Sequence, residues 1–242
     1  ENAMLNLTCE RADLVDGHDI LELGCGWGSL TLFMAEHFPT SKITAVSNSI
    51  DQRQFIEARC GKLNLKNVEV ITADMNDFET NKIFNRVVSI EMFEHMRNYE
   101  KLLGRVNTWL KSDGKLFVHI FSHQKAAYPF EDNDDGDWMA REFFSGGQMP
   151  SHRLLMSFSE QMQIEKDWRV SGIHYEKTSL AWLQKMDQNK AEVLELFKKT
   201  YGEKDAGLWL QRWRIFFMSC EVLFGFNRGA EWGVSHYLFE KP

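Results

Sequence analysis

The chain has 242 residues, of which 43% are hydrophobic and 13% aromatic, enough apolar material for the core of one large domain. Its formal net charge is -7, because 35 Asp and Glu outnumber 28 Lys and Arg. A negative chain repels nucleic-acid backbones and anionic membrane surfaces. We therefore expect no nucleic acid as a partner and no stable association with a membrane.

Apolar stretches and cysteine spacing indicate the compartment. No stretch approaches the roughly 18 apolar residues of a membrane-spanning helix, and no basic-then-apolar leader begins the chain. The four cysteines lie far apart, which fits a reducing compartment. We expect a soluble, cytoplasmic protein. Because the chain begins at Glu1 and not at Met, we also expect further residues to precede it.

Short apolar runs alternate with helical periodicity through the first half of the chain. The predicted strands are 19–23, 42–47, 68–72, 86–90 and 115–121, and the predicted helices are 28–38, 50–64 and 98–111. This alternation is typical of an α/β fold with a doubly wound, mostly parallel sheet. Helices rich in Trp and Phe follow, and a last strand at 232–241 returns to the sheet.

We interpret the whole chain, 1–242, as a single domain. Its parts are a core at 1–122, an inserted helical cap at 123–230 and a final antiparallel strand at 231–242. Within the cap, the acidic segment 131–142 partly matches an EF-hand loop, but Pro129 breaks the helix that a calcium loop requires before it. An exposed acidic lid is the better interpretation.

The clearest motif is a glycine-rich turn between the first strand and the first helix. The sequence LELGCGWGSL, 21–30, places Glu22 at the end of the strand, before Gly24, Gly26 and Gly28. Glycines there let the backbone turn tightly and approach a ligand at the helix N-terminus. The G-x-G-x-G spacing behind an acidic residue resembles motif I of the class I S-adenosylmethionine methyltransferases, which implies their Rossmann-like fold.

Polar segments after the second and third strands extend this resemblance. Residues 47–52 resemble the T-x-S-x-x-Q segment of the cyclopropane fatty acid synthase superfamily, in which hydroxyl and amide groups serve the ribose. Residues 73–76 match the place where the superfamily packs the adenine, although Asp74 is equally explained as a helix N-cap. The resemblance implies S-adenosyl-L-methionine as cofactor and S-adenosyl-L-homocysteine as product. The cofactor-binding residues implied are Glu22, Gly24, Gly26, Trp27, Gly28, Ser47, Asn48, Ser49, Gln52, Asp74, Met75, Asn76 and Ile90.

Three titratable residues lie within five positions at the end of the fourth strand. Glu91, Glu94 and His95 follow this strand at the carboxyl edge of the sheet, where α/β proteins bind ligands. Crowded titratable groups there favour proton chemistry. A structural alternative is that Glu94 and His95 only begin the next helix.

The run EMFEHMRNY, 91–99, resembles the benzylisoquinoline alkaloid N-methyltransferases, the branch typified by coclaurine N-methyltransferase. The likeness covers nearly the whole chain, including FVHIFSH (117–123), FFSGGQMPS (143–151), HYEKTSLAWL (174–183) and WRIFFMSCEVLFGFN (213–227). It implies methyl transfer to the nitrogen of a small, aromatic amine. Glu91 and His95 resemble the acid-base pair of that branch, with Glu94 as support, and no metal ion is needed.

Two other functions stay open. Cyclopropane-fatty-acyl-phospholipid synthases modify unsaturated acyl chains, and in them the positions that resemble Glu94, His119 and Cys220 bind bicarbonate as a base. Lipid cyclases have glycine at the position of Glu91, which favours the amine. An inactive cofactor-binding scaffold is disfavoured by the intact Glu91, Glu94 and His95. A metal site formed by His119 and His123 with Glu94 and His95 is disfavoured, because ligand spacing on one strand is poor support for it.

The last third of the chain is unusually aromatic. We expect most of these side chains to pack in a core, and Cys220 is also explained as a small core residue. Aromatic faces nevertheless suit a flat aryl-alkyl amine and its ammonium form. The candidates for a substrate-binding wall are Trp213, Phe217, Phe224 and Trp232. A homodimer is compatible with the sequence.

Overall fold

The computed structural model describes residues 1–134, 136–144 and 146–242. These residues form two compact units. The first unit consists of Glu1–Ile120, Arg153–Trp168 and Ser235–Pro242, and the second of Phe121–His152 and Arg169–Val234. The boundaries predicted for a core, a cap and a final strand stay predictions.

The helices and strands follow the chain in this order: α1 (Asn2–Arg11), β1 (Asp19–Leu23), α2 (Ser29–His37), β2 (Lys42–Ser47), α3 (Ile50–Leu63), β3 (Val68–Thr72), β4 (Phe84–Ile90), α4 (Tyr99–Trp109), β5 (Leu110–His123), β6 (Tyr128–Pro129), α5 (Trp138–Phe143), β7 (Gln148–Met149), β8 (Gln163–Ser171), α6 (Ile173–Gln188), α7 (Lys190–Tyr201), α8 (Ala206–Gly229) and β9 (Trp232–Glu240). Short 3₁₀ turns lie at Phe93–His95 and Leu154–Phe158.

One sheet has the strand order β3-β2-β1-β4-β5-β9-β8. Strand β1 pairs in parallel with β2 and β4, β2 pairs with β3, and β4 pairs with β5. The sheet is mostly parallel and contains one antiparallel strand. The predicted doubly wound α/β class is confirmed.

The central strands are apolar because both of their faces are covered. Leu21 and Leu23 of β1 and Val87 of β4 are completely buried. The parallel register places Leu23 beside both Val46 and Ser89. The carboxyl ends of these strands therefore meet at one edge of the sheet.

Helix ends follow from local capping. Ser49 accepts a hydrogen bond from the backbone N–H of Gln52 and so begins α3, and Asn98 caps α4 in the same way through Lys101. Such a cap satisfies an amide that would otherwise lack a partner. Both helices therefore begin within two residues of their predicted starts.

The second unit contains three long helices, α6, α7 and α8. Its buried cluster includes Phe121, Met149 and Phe224. Helix α8 is interrupted by a kink, because Asn227 and Arg228 have positive φ values. None of the helices in the described part of the chain is both long and apolar enough to span a membrane.

The region 123–230, predicted to be a helical cap with an acidic loop, also contains strands. Strand β8 lies within it, at the end of the strand order, and the short strands β6 and β7 form a separate antiparallel pair. An edge strand covered on fewer sides needs no apolar run, and β8 has no fully buried residue. The predicted acidic lid contains Asp135, which lies outside the described residues, as does Ser145.

Candidate active site

The glycine-rich turn between β1 and α2 has a backbone that disfavours side chains. Gly24, Gly26 and Gly28 have φ values of +79°, +53° and +83°, in the region that glycine tolerates best. A Cβ atom on Gly28 would lie 2.6 Å from Ile56, and one on Gly24 would lie 2.7 Å from Met92. A Cβ atom on Gly26 would meet nothing within 4 Å. Of these three glycines, Gly26 is therefore the one whose Cβ direction points into open space.

A cavity of about 370 Å³ lies within the first unit beside this turn. Its wall comes from the segments that follow β1, β2, β3 and β4, which is the edge where the sheet collects their carboxyl ends. The lining residues are Gly24, Gly26, Val46, Ser47, Asn48, Gln52, Ala73, Asp74, Met75, Asn76, Glu91, Met92, His95 and Met96. Predicted cofactor residues and predicted catalytic residues thus lie around the same cavity.

The polar wall is organised by short-range hydrogen bonds. Ser47 donates its hydroxyl to Oε1 of Gln52 across 2.5 Å. Oδ1 of Asp74 accepts from the backbone and the side-chain amide of Asn76, at 2.7 and 2.9 Å. No helix in the described ranges begins at Asp74, so this carboxylate holds a turn rather than a helix N-terminus. The exposed Asp74 carboxylate remains at the wall of the cavity.

Several predicted cofactor residues do not line this cavity. The side chain of Ser49 is used as the cap of α3, and Gly28 leaves room for Ile56. Trp27 is 58% exposed and meets the ring of Phe55 edge-on. Ile90 packs in a hydrophobic cluster of the first unit. Their roles toward a cofactor stay predictions.

Glu22 is buried beneath the glycine turn. The hydroxyl of Thr31 donates to its Oε2 across 2.5 Å. Burial raises the pKa of Glu22 to about 8, an effect that the hydrogen bond from Thr31 partly opposes. The observed partner of this carboxyl group is therefore Thr31, and Glu22 is not among the residues that line the cavity.

Glu91 follows β4 in an unusual backbone conformation. Its φ value is +49°, and such a conformation is costly for a residue with a Cβ atom. Its backbone N–H donates to the carbonyl oxygen of His119. Its Oε1 lies 3.1 Å from Nε2 of the buried His119 ring. Strained residues cluster at functional sites, where the surrounding structure holds them in place.

Glu94 and His95 differ sharply in exposure. The Glu94 side chain is 3% exposed, whereas His95 is 54% exposed, and Nε2 of His95 lies 3.9 Å from Oε1 of Glu94. Burial raises the pKa of Glu94 well above its ordinary value, and the negative charge of Glu91 raises it further. Oε2 of Glu94 is buried with no hydrogen-bond partner. Glu94 is thus favoured in its protonated form, beside Glu91.

Two residues, His236 and Arg11, continue the contacts of His119 and were not predicted from the sequence. Nδ1 of His119 lies 2.8 Å from Nε2 of His236, and Nδ1 of His236 lies 2.7 Å from the guanidinium of Arg11. Burial, followed by the nearby His119 and Arg11, lowers the pKa of His236 to about 2. A histidine inside the apolar run VSHYLF was the available signal for His236.

The aromatic candidates belong to the second unit and fall into two groups. Trp213 and Phe217 line an apolar groove of about 700 Å³ together with Trp182. Phe224 lies in a separate cluster, against which Cys220 and Trp232 pack. Burial raises the pKa of Cys220 to about 12, so this residue is a thiol at neutral pH. Within residues 1–134, 136–144 and 146–242, no group of three or more His, Cys, Asp or Glu side chains could hold a metal ion.

Comparison with known proteins gives the family. The family described as mycolic acid cyclopropane synthetase matches residues 1–229. The chain belongs to this family. It is 40% identical to (S)-coclaurine N-methyltransferase from Thalictrum flavum subsp. glaucum over 245 residues, which cover 100% of this chain and 68% of that protein. It is also 29% identical to the cyclopropane-fatty-acyl-phospholipid synthase of Escherichia coli strain K12, covering 97% of this chain and 59% of the synthase.

The fold comparison agrees. The crystal structure of coclaurine N-methyltransferase bound to N-methylheliamine and SAH has a TM-score of 0.95 and 39% identity, covering 99% of this chain and 70% of that one. The 242-residue chain is therefore an S-adenosylmethionine-dependent methyltransferase. The cavity fits that cofactor, because Gly26 offers an open backbone and the polar segments at Ser47 and Asp74 offer acceptors and donors.

Proposed function

We propose that this methyltransferase transfers a methyl group to the nitrogen of a small aromatic amine. The observation that carries the proposal is the placement of Glu91 and His95 on the cavity that the glycine turn and the polar segments also line. A proton-accepting pair thus stands where a methyl donor would be held. The first substrate class to test is an aryl-alkyl amine, because the chain resembles plant coclaurine N-methyltransferases.

The chemistry requires a neutral amine and a place for its proton. S-adenosylmethionine supplies a methyl group that is electrophilic because it is bonded to a positively charged sulfur. The nitrogen lone pair forms the new N–C bond while the S–C bond breaks, which leaves S-adenosylhomocysteine. The methylated nitrogen then loses a proton, and we assign its acceptance to Glu91 and His95.

Glu91 is suited to this task by its surroundings. An ionised carboxylate attracts the ammonium form of the substrate and accepts a proton from it. Hydrogen bonds donated to a carboxylate favour its ionised form, and Nε2 of His119 lies within hydrogen-bond distance of Oε1 of Glu91. Glu94 takes the opposite role, because its burial favours the protonated form. We therefore assign Glu94 a supporting role beside Glu91 and not the role of proton acceptor.

The cyclopropane synthase alternative is favoured by the family and by the Escherichia coli relative. In that interpretation His119 and Glu94 hold bicarbonate. Both ring nitrogens of His119 are already engaged, Nδ1 by His236 and Nε2 by Glu91. A bicarbonate ion at Nε2 would lie beside the Glu91 carboxylate, and two negative charges in so small a space repel each other. The geometry therefore supports the amine.

The support that the second unit gives for an aromatic substrate is the aromatic character of its side chains. Trp213 and Phe217 belong to an apolar groove whose ring faces suit an aryl group or an ammonium ion. The assignment of Trp213, Phe217, Phe224 and Trp232 to the substrate, and of Cys220 to the lipid alternative, stays a prediction. So do the cytoplasmic location, the homodimer and the lack of a nucleic-acid partner.

The test uses the chain, methyl-labelled S-adenosylmethionine and two acceptor pools in parallel. One pool holds primary, secondary and tertiary arylalkyl amines, and the other holds unsaturated phospholipid vesicles with bicarbonate. We expect label in the amine pool alone, and a loss of it in Glu91→Gln. Label in the lipid pool alone contradicts the proposal and favours His119, Glu94 and Cys220 as the catalytic set. S-adenosylmethionine binding without label in either pool supports an inactive scaffold.

A further inference from the structure

Four side chains of the first unit form one continuous line of contacts. Arg11 contacts His236 at 2.7 Å, His236 contacts His119 at 2.8 Å, and His119 contacts Glu91 at 3.1 Å. The residues come from α1, β9, β5 and the turn after β4. Of the four, Glu91 borders the cavity. Arg11 and His236 have no place in the chemistry described so far.

The direction of every hydrogen bond in this line is fixed from one end. A guanidinium group can only donate, so Nδ1 of His236 must accept from Arg11 and its proton must be on Nε2. That proton is donated to Nδ1 of His119, which therefore carries its own proton on Nε2. The Nε2–H group of His119 then points at Oε1 of Glu91.

The other end of the line gives the same direction. An ionised carboxylate can only accept, so Glu91 requires a proton on Nε2 of His119. His236 is completely buried and His119 is 4% exposed, so water does not compete for the contact between the two rings. Because each ring nitrogen has one partner and one role, neither imidazole can change tautomer without leaving a contact unsatisfied.

We propose that Arg11 and His236 are positioning residues that fix the tautomer of His119 and so hold Glu91 as the accepting carboxylate at the candidate active site. The functional part of this inference rests on the proposed amine methylation, whereas the tautomers do not depend on it. Neither residue touches the substrate in this account. Their effect passes through His119.

The first test reads the tautomers directly in the complete chain. Long-range proton–nitrogen NMR spectra of ¹⁵N-histidine-labelled protein distinguish a protonated from an unprotonated ring nitrogen. We expect protons on Nε2 of both His119 and His236 and none on either Nδ1. A proton on Nδ1 of either ring overturns the proposal, whatever the enzyme methylates.

The second test changes Arg11. Arg11→Met keeps an unbranched apolar stem next to Trp168, over which the guanidinium now lies at 4.8 Å, but it removes the donor. We expect part of His236 to move to the Nδ1–H tautomer and kcat for the amine to fall about tenfold. The KM values for amine and S-adenosylmethionine should stay within about twofold. Arg11→Lys restores a donor and should recover part of the loss.

Lys115→Met is the matched control. Arg11 and Lys115 both line a second cavity of about 370 Å³, which is separate from the candidate active site. The amino group of Lys115 pairs with Glu165 at 2.7 Å and with Asp13 at 3.5 Å. We expect its kcat and its histidine tautomers to be unchanged. Equal losses of kcat in Arg11→Met and Lys115→Met, or unchanged tautomers in Arg11→Met, overturn the positioning role. A wild-type chain with the expected tautomers that methylates no amine contradicts the proposed function and leaves only the tautomer assignment standing.

Discussion

Oε1 of Glu91 lies 3.1 Å from Nε2 of His119, although the two residues are 28 positions apart in the chain. The contact exists because β4 and β5 are neighbours in register, with Ile90 opposite His119. A buried imidazole thus holds a carboxylate at the wall of the cavity.

Glu91→Gly should separate activity from stability. We expect turnover of an amine to fall about 100-fold or more, because the proton acceptor is lost. We expect only a small change in thermal stability, because relief of the φ of +49° offsets the loss of the acceptor for Nε2 of the buried His119. Steady-state kinetics and a melting curve check this. Asn64→Gly relieves a φ of +55° at the end of α3 and should leave turnover unchanged, and a fully active Glu91→Gly enzyme would remove Glu91 from the chemistry.

Glu94→Gln should be far milder than Glu91→Gln. Burial and the charge of Glu91 raise the pKa of Glu94, so a neutral amide closely imitates the form already present. We expect kcat within about fivefold of wild type for Glu94→Gln and a loss of about 100-fold for Glu91→Gln. Parallel kinetics at pH 7.5 measure both. The reverse order would make Glu94 the ionised base.

His95→Ala should lower turnover by about 10- to 100-fold while the Kd for S-adenosylmethionine changes less than about threefold. The ring is half-exposed on the cavity, so its removal should cost little stability. Calorimetry and kinetics on the same preparation give both quantities. A loss confined to cofactor affinity would recast His95 as a binding residue.

Gly26→Val should weaken S-adenosylmethionine binding by at least about 100-fold. The new side chain meets no protein atom near its Cβ and would occupy the open space beside the turn, in a backbone conformation that valine disfavours. Isothermal calorimetry with the folded variant measures the affinity. Gly202→Val introduces at least as much backbone strain, at a φ of +89° and a ψ of 156° in the second unit, and should keep the wild-type Kd. Wild-type affinity in Gly26→Val would exclude the turn from the cofactor site.

Glu22 should make the protein less stable as the pH rises. Its pKa is raised from 4.5 to about 8 in the folded protein, so its contribution is fully present below pH 4.5 and is lost as the pH rises through about 8. The limiting slope between these values is about 1.4 kcal/mol per pH unit. Urea unfolding at pH 5, 6.5 and 8 measures it. Glu22→Gln should flatten the decline, whereas the exposed Glu57→Gln should not, and an unchanged slope in Glu22→Gln would refute the assignment.

The central strands could be predicted well, because each of them is encoded by its own short stretch of sequence. Strands β1, β2 and β3 have their predicted bounds, since apolar, β-branched runs between Gly, Asn and Asp leave few alternatives. Strand β8 was missed, because an edge strand carries no such run. The cavity wall was also largely predictable, since parallel strands bring their carboxyl ends together.

The contacts behind the wall could not be predicted from local signals. Arg11 and His236 are 225 residues apart, and their contact depends on how α1 and β9 pack in the first unit. The role of Gly28 was likewise hidden, because only the packed structure shows that Ile56 fills the space beside it. Tertiary packing therefore decided which predicted residues border the cavity.

The central claim is that the methyl group is transferred to nitrogen. The most direct measurement incubates the enzyme with [¹³C-methyl]-S-adenosylmethionine and a ¹⁵N-labelled arylalkyl amine, and then records the product by NMR. A one-bond ¹³C–¹⁵N coupling that grows with time, and that grows about 100-fold more slowly with Glu91→Gln, is the predicted result. Consumption of the methyl donor with the ¹³C label bonded only to carbon, as in a cyclopropane ring formed on added unsaturated lipid, would contradict the account.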